Sequence, residues 1–197
     1  MKYITIIFLF VLLMVATPAY AGQGEDTVEN LVKILITWNG TDQSAYSEAA
    51  KYIDYRVMSE RVLGQEHWHN LSSSQKNEFV DAFQHLIEKR YYPRWHRLFR
   101  NGHIEYLNEQ EVHGDTLVRT QLKIGDSSKN TNWTLTKANG EYKVISLQVN
   151  GRDLVTRAGR RFQKKLATCE FKDFLAWIKN QSVHSLSDNT ANNGKTF

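Results

Sequence analysis

The chain has 197 residues, of which 41% are hydrophobic and 12% aromatic, and its formal net charge at pH 7 is +4. This composition is typical of one folded domain with a real core and excludes a disordered chain. The net charge is too small to indicate a nucleic acid as the partner. Cys169 is the only cysteine, so no disulfide can form within the chain and packing must stabilise the fold.

The first 21 residues have the pattern of a secretory signal peptide. Lys2 is their only charge, residues 4–15 are almost entirely apolar, and Ala19-Tyr20-Ala21 is a small-x-small cleavage site. An apolar run of about 12 residues is too short to span a bilayer, which takes roughly 20. Gly22 follows this site, where a lipoprotein would need cysteine. We therefore expect a signal peptide over residues 1–21, cleavage near Ala21 and export to the periplasm.

Helical periodicity dominates the next 70 residues or so. Helices are predicted over residues 26–37, 42–52, 58–63 and 72–91. In the last and strongest of these, Ser72 and Gln75 form a capping box. Pro93 must end or kink this helix because proline has no amide hydrogen.

The middle of the chain alternates strand-like segments with turn residues. Asn139-Gly140 is a strong hairpin signal, and connections this short join antiparallel neighbours. Helices return from Asp153, and residues 182–197 form a polar tail that we expect to be disordered. The pattern predicts an α+β fold in one domain over residues 22–181, with a small antiparallel four-stranded sheet flanked by helices. The four predicted strands are residues 104–112, 116–124, 132–137 and 141–149.

No catalytic or metal-binding motif stands out in the sequence. There is no G-x-S-x-G elbow, and Glu109 and Glu111 share one face of a polar strand, as at an exposed sheet edge. His67 and His69 would share a face of an extended segment, but no third ligand follows at a clear spacing and Trp68 suits the core. We therefore expect no enzymatic activity, no metal and no cofactor. An enzyme remains an alternative, because catalytic triads assemble in space rather than in sequence.

Two segments concentrate basic residues. Residues 89–100 mix arginine with aromatic residues, which fits nucleic acid, a lipid headgroup surface, or a helix end whose aromatic residues pack inward. Export favours lipid over nucleic acid. A second basic stripe lies beside the apolar Leu154/Phe162 face and fits an acidic partner, phosphate headgroups or an ordinary solvated face. Its members are Arg157, Arg160, Arg161, Lys164 and Lys165.

Several segments resemble, in the same order, the motifs of the MlaC family. Residues 53–64, IDYRVMSERVLG, resemble its FD…MS…VLG signature, and residues 68–91 resemble its W…LS…Q…EF…F…L…Y helix. Residues 142–144, YKV, stand where the family has WKV, and residues 149–162 resemble its V-x-G-V-S-L-V segment and the QF phenylalanine. The resemblance spans residues 26–179. Ala158-Gly159 departs from it, because the family usually has Tyr-Arg there.

The resemblance implies a function, since MlaC proteins are the periplasmic phospholipid-binding components of the Mla/toluene-tolerance ABC transport system. It implies an NTF2-like fold whose apolar pocket, between the layers, holds acyl chains with the phosphate near the mouth. The implied partners are phospholipid as cargo, an inner-membrane ABC transporter complex with a substrate-capturing domain, and an outer-membrane lipoprotein complex. A monomer is expected, with no nucleic acid partner. The alternatives are a hopanoid-associated relative carrying another lipid, a non-catalytic scaffold with a closed core, and a hydrolase on the same scaffold.

Family position and apolar faces together predict the residues of the site. The predicted pocket lining is Met58, Leu63, Phe83, Leu86, Trp133, Leu135, Val144, Leu154 and Phe162. The predicted contacts to a headgroup or partner are Arg157, Arg160, Arg161 and Lys164. A pocket and a plain core both require apolar inward-facing residues, so the sequence does not separate the two.

Overall fold

A computed structural model describes residues 22–39 and 43–183 of the chain. The expected signal peptide, residues 1–21, and residues 184–197 of the expected tail lie outside this range. The helices before the sheet are α1 (Gln23–Thr37), α2 (Gln43–Ala50), α3 (Tyr55–Leu63), α4 (Gln65–Asn70), α5 (Ser73–Leu86), a π-helical turn (Ile87–Tyr91) and α6 (Tyr92–Arg100). The strands and later helices are β1 (His103–Val112), β2 (Asp115–Ile124), β3 (Ser127–Ala138), β4 (Glu141–Val149), β5 (Arg152–Asp153), α7 (Leu154–Leu166) and α8 (Phe171–Val183).

The predicted α+β fold with an antiparallel sheet is confirmed, but the sheet has five strands rather than four. Its order is β1-β2-β3-β4-β5, with every neighbouring pair antiparallel. The fifth strand was missed because it is only two residues long and pairs with the end of β4 across Asn150-Gly151. Asn150 and Gly151 have φ values of 47° and 75°, and Asn139 and Gly140 have 53° and 85°. Positive φ at both central residues gives the tight hairpin turns that asparagine and glycine favour.

The predicted helix over residues 72–91 is α5 followed by a π-helical turn, and the chain stays helical through Pro93 into α6. At its start, Gln75 donates its amide hydrogen to Ser72 Oγ at 3.3 Å, and Ser72 donates its own to Gln75 Oε1 at 2.9 Å. The wider π-helical turn follows α5, and Pro93 then lies in the first turn of α6. Proline is tolerated there because a first-turn amide needs no partner within the helix.

The core has two parts that meet at β4. The inward face of β2 and β3 packs against α1 and α6, and the Trp133 ring stacks on Phe99 with centroids 5.6 Å apart. In the second part, α3, α5, α7 and α8 pack on one another, and α3 and α7 also contact β4. Rings of α5, α7 and α8 form an aromatic cluster there: Phe79, Phe83, Phe162, Phe174 and Trp177.

The last helix extends past the expected end of the domain at residue 181. It runs to Val183 and buries Ser182, so the folded part includes the first two residues of the expected tail. Within residues 22–39 and 43–183, none of the helices combines the length and the apolar character that crossing a bilayer requires.

Candidate functional site

An apolar cleft opens to the surface between α3, the end of α5 with its π-helical turn, α6 and α7. Its free volume is about 30 Å³, room for about one water molecule. Tyr91, Leu154 and Ala158 are half-buried and mark the open side, whereas the other lining residues are buried. The complete lining is Met58, Phe83, Leu86, Ile87, Tyr91, Trp95, Leu154, Val155, Ala158 and Phe162.

The structure brings five of the nine predicted pocket residues together in this cleft: Met58, Phe83, Leu86, Leu154 and Phe162. The other four lie in closed core and do not line the cleft: Leu63, Trp133, Leu135 and Val144. Trp133 illustrates the difference, because its ring stacks on Phe99 and its indole N–H donates to Thr120 Oγ1 at 3.2 Å. The lining that the sequence missed comes mainly from the π-helical turn and α6, where Ile87, Tyr91 and Trp95 face the cleft.

The walls of the cleft differ in how tightly they are packed. Phe162 contacts the rings of Phe79, Phe83, Phe174 and Trp177 at centroid distances of 5.7–6.3 Å. These edge-to-face ring contacts pack that wall closely. The remaining wall is the first two turns of α7, whose Leu154 and Ala158 face the open side.

A second groove, of about 500 Å³ and with both polar and apolar lining, shares Val155 with the cleft. Two of its charged groups, Arg61 and Asp153, have partners within the protein. Arg61 forms an ion pair with Asp115 at 2.6 Å. Asp153 Oδ1 accepts the Thr156 amide hydrogen at 2.7 Å and so caps α7, while its Oδ2 accepts from the Ser146 hydroxyl. The arrangement stabilises the start of α7, while Val57 and Val155 give the groove an apolar part to its lining.

Four residues of the predicted basic stripe on α7 are exposed to solvent: Arg157, Arg160, Arg161 and Lys164. Of these, Arg161 also lies over the Trp177 ring, 5.0 Å from its centroid, and donates to Gln181 Oε1 at 2.9 Å. Arg90, from the π-helical turn, donates to the same oxygen at 3.3 Å. The sequence had placed Arg90 in the basic segment 89–100 but had not predicted its contact with Gln181, because the two residues lie 91 residues apart along the chain.

The aromatic residues between positions 89 and 100 pack mainly inward. Tyr92, Trp95 and Phe99 are buried, which is the third of the alternatives that their pattern allowed. The Tyr92 hydroxyl lies 2.6 Å from the Tyr55 hydroxyl. Burial, above all, raises the pKa of both hydroxyls, and the Glu88 carboxylate raises each further.

The described residues, 22–39 and 43–183, contain no group of three histidine, cysteine or acidic side chains placed to hold a metal ion. The segment around Trp68 is helical rather than extended, so His67 and His69 lie on different faces of α4. Trp68 is buried between Arg56 and Lys76, whose cationic groups lie 5.6 and 5.5 Å from its ring centroid.

Comparisons with known proteins agree with this architecture. A family model described as MlaC protein matches residues 39–180. Among solved structures, one that matches is a phospholipid-binding protein from Ralstonia solanacearum, determined in complex with a phospholipid. The two chains share 12% sequence identity with a TM-score of 0.70, and the match covers 83% of this chain and 97% of the other. At this identity the likeness is one of fold. No curated protein matches the chain.

Proposed function

The chain belongs to the MlaC protein family, and on that premise we propose that it is a periplasmic phospholipid carrier. It shuttles lipid between an inner-membrane ABC transporter complex and an outer-membrane lipoprotein complex, and so contributes to outer-membrane lipid asymmetry. The observation that carries the proposal is the surface-opening apolar cleft between α3, α5, α6 and α7.

The energetics of lipid transfer explain why such a cleft is useful. Moving one methylene group out of water gains about 0.8 kcal/mol. A phospholipid with roughly 28 methylene groups therefore costs on the order of 20 kcal/mol to release into water. A protein that encloses the acyl chains removes most of that cost. This task requires an apolar surface and a way to open it, and no reacting group.

The ligand class receives support from the relative of known structure. The Ralstonia solanacearum protein binds a phospholipid, and the match covers nearly its whole length. We propose the same class of cargo here, carried with its acyl chains in the cleft.

The cleft must widen before it can accept a lipid, because about 30 Å³ is far less than an acyl chain occupies. Phe162, in the second half of α7, contacts rings of α5 and α8 and is a poor candidate for movement. The first turns of the same helix are a better one, because Leu154 and Ala158 are only half-buried. We propose that loading shifts these first turns away from α3 while Phe162 stays in place, and that binding to the membrane complexes promotes this shift.

The test is to express the full chain with its signal, purify the exported protein and identify its bound molecules. Solvent extraction and mass spectrometry should detect about one or more phospholipids per chain. Leu154→Trp adds bulk at the half-buried rim of the cleft and should lower lipid occupancy. Leu107→Trp is the matched control, because Leu107 is an exposed leucine of β1 outside the cleft.

The alternatives give different results in this experiment. A folded wild-type protein that carries no lipid and takes none up from vesicles would contradict the carrier proposal and favour the scaffold. Release of free fatty acid or headgroup from added phospholipid would favour the hydrolase.

A further inference from the structure

We infer that Arg90 and Arg161 form a clamp for the phosphate group of the bound lipid, at the open side of the apolar cleft. This inference rests on the proposed carrier function and names the side chains that recognise the head of the cargo. It selects Arg90 from the basic segment 89–100 and adds Gln181, which no sequence pattern had singled out.

The two guanidinium groups converge on one oxygen atom. Arg161 Nη2 and Arg90 Nη1 donate to Gln181 Oε1 at 2.9 and 3.3 Å. Both guanidinium nitrogens therefore lie within hydrogen-bond distance of the same acceptor atom. Each planar guanidinium keeps other N–H groups for a further acceptor.

No carboxylate in the described part of the chain compensates the charge of this pair. Neither arginine forms an ion pair with any carboxylate in residues 22–39 and 43–183. Glu88, the acidic residue closest to Arg90 in sequence, is buried and accepts a hydrogen bond from Gln84 Nε2 at 2.7 Å. A neutral amide oxygen cannot balance two positive charges, whereas a phosphate accepts from both guanidinium groups and neutralises them.

The clamp lies beside the cleft rather than elsewhere on the surface. Arg90 follows Leu86, a residue of the cleft lining, by four positions and so lies on the same side of that helical segment. Arg161 follows Ala158, another residue of the open side, by three positions and so lies on the same side of α7. Arg161 also packs on Trp177, whose ring meets that of Phe162 at 5.8 Å. A lipid with its chains between Leu154 and Phe162 would carry its phosphate towards the two arginines.

The clamp should make the protein select phospholipids over uncharged lipids with the same chains. Hydrogen bonds to a charged group are strong enough that losing one lowers affinity by about tenfold or more. We expect delipidated wild-type protein to bind phosphatidylglycerol at least about tenfold more tightly than diacylglycerol with identical chains.

The test measures uptake of both lipids by the exported protein and its variants. Arg90→Gln and Arg161→Gln should each lower the preference for phosphatidylglycerol about tenfold and leave diacylglycerol uptake unchanged. Arg152→Gln is the charge-matched control, because Arg152 is exposed on β5 and does not line the cleft. Unchanged uptake of diacylglycerol also verifies that each variant keeps its cleft.

A second variant tests the clamp at Gln181, the residue that accepts from both arginines. Gln181→Glu places a carboxylate between the two arginines, where it competes with a phosphate. It should raise the melting temperature through the new charge pairs and also reduce the preference for phosphatidylglycerol. A rise in melting temperature with an unchanged preference would contradict the clamp.

The experiments distinguish failure of the clamp proposal from failure of the carrier proposal. If the Arg90→Gln/Arg161→Gln double variant keeps the wild-type preference, the clamp is wrong while lipid carriage stands. If the wild type takes up neither lipid, the carrier proposal fails and the clamp with it. Titration of the delipidated protein with inorganic phosphate distinguishes a lipid headgroup site from a site for free phosphate. If phosphate binding depends on the two arginines but the protein shows no preference between the two lipids, the site belongs to free phosphate and the inference is overturned.

Discussion

Gly159 on α7 lies directly against Val62 on α3, so that a Cβ atom at position 159 would be 3.0 Å from the Val62 carbonyl oxygen. This contact lets the two helices approach closely beside the cleft. It falls within Ala158-Gly159, the pair at which the sequence departs from the family motif. The small residues at this crossing explain why the cleft is narrow, since Ala158 forms part of its open side.

Replacing Gly159 with alanine should destabilise the protein. Alanine favours a helix over glycine by about 1 kcal/mol, but overpacking a close contact costs about 1–3 kcal/mol. The contact should prevail because the Val62 carbonyl is helix backbone and cannot turn away. We expect the melting temperature to fall by about 2–4 °C for each kcal/mol lost. A rise in melting temperature would contradict this expectation, because it would mean that α3 and α7 accommodate the added methyl group without loss of stability.

A substitution beside Trp133 tests whether this residue belongs to the closed core or to the lipid-binding cleft. Thr120→Val removes the oxygen that accepts the Trp133 indole N–H and should cost about 1–3 kcal/mol. Lipid occupancy should stay unchanged, because neither residue lines the cleft. Thr136→Val is the control, since Thr136 is a half-buried threonine on the other face of β3. Loss of bound lipid in a stable Thr120→Val protein would place Trp133 in the binding site.

The sequence predicted the elements well because local chemistry specifies them. The Ser72–Gln75 capping box and the Asn139-Gly140 turn each depend on residues close together in the chain. Antiparallel order then follows from short connections. The fifth strand escaped notice because two residues provide no alternation to detect.

The candidate site was only partly predictable because it depends on how distant helices cross. Met58 and Leu63 lie on the same helix and look alike in sequence, yet only Met58 lines the cleft. Arg90, Arg161 and Gln181 meet across separations of 20 and 91 residues, for which no spacing rule exists. Glu109 was expected at an exposed strand edge, but it contacts the start of α1, 84 residues away.

Glu109 should stabilise the protein by capping α1. Its Oε2 accepts the Glu25 amide hydrogen at 2.9 Å, and α1 has no side-chain cap of its own at Gly22. Glu109→Ala should therefore lower the free energy of unfolding by about 0.5–2 kcal/mol, measured by urea denaturation. Glu111→Ala removes the same charge from an exposed position two residues along β1 and should change stability little. Equal effects of the two substitutions would contradict the capping role.

The buried pair of Tyr55 and Tyr92 suits a double-mutant cycle. Their hydroxyl oxygens are 2.6 Å apart. Tyr92→Phe alone leaves the Tyr55 hydroxyl unpaired in the core and should cost about 1–3 kcal/mol. Tyr55→Phe/Tyr92→Phe removes both polar groups and should be markedly less destabilising than the sum of the two single changes. Strictly additive single changes would show that the two hydroxyls do not depend on each other.

The same pair should make the protein unfold more easily at alkaline pH. Tyrosines in the unfolded chain ionise near pH 10. Burial first, and then the Glu88 carboxylate, raise the pKa of Tyr55 and Tyr92 in the folded protein, so both stay protonated there at that pH. Above about pH 10 the folded state therefore binds more protons than the unfolded state, and the free energy of unfolding falls as the pH rises.

This stabilisation is complete below about pH 10 and is lost above it by about 1.4 kcal/mol per pH unit for each buried tyrosine. Urea denaturation between about pH 9 and 11 measures the slope. The Tyr55→Phe/Tyr92→Phe variant should lose stability less steeply than the wild type over this range. Burial also raises the pKa of Tyr106, so Tyr106→Phe should reduce the slope as well. An unchanged slope in the double variant would mean that these two hydroxyls ionise as readily in the folded protein as in the unfolded chain.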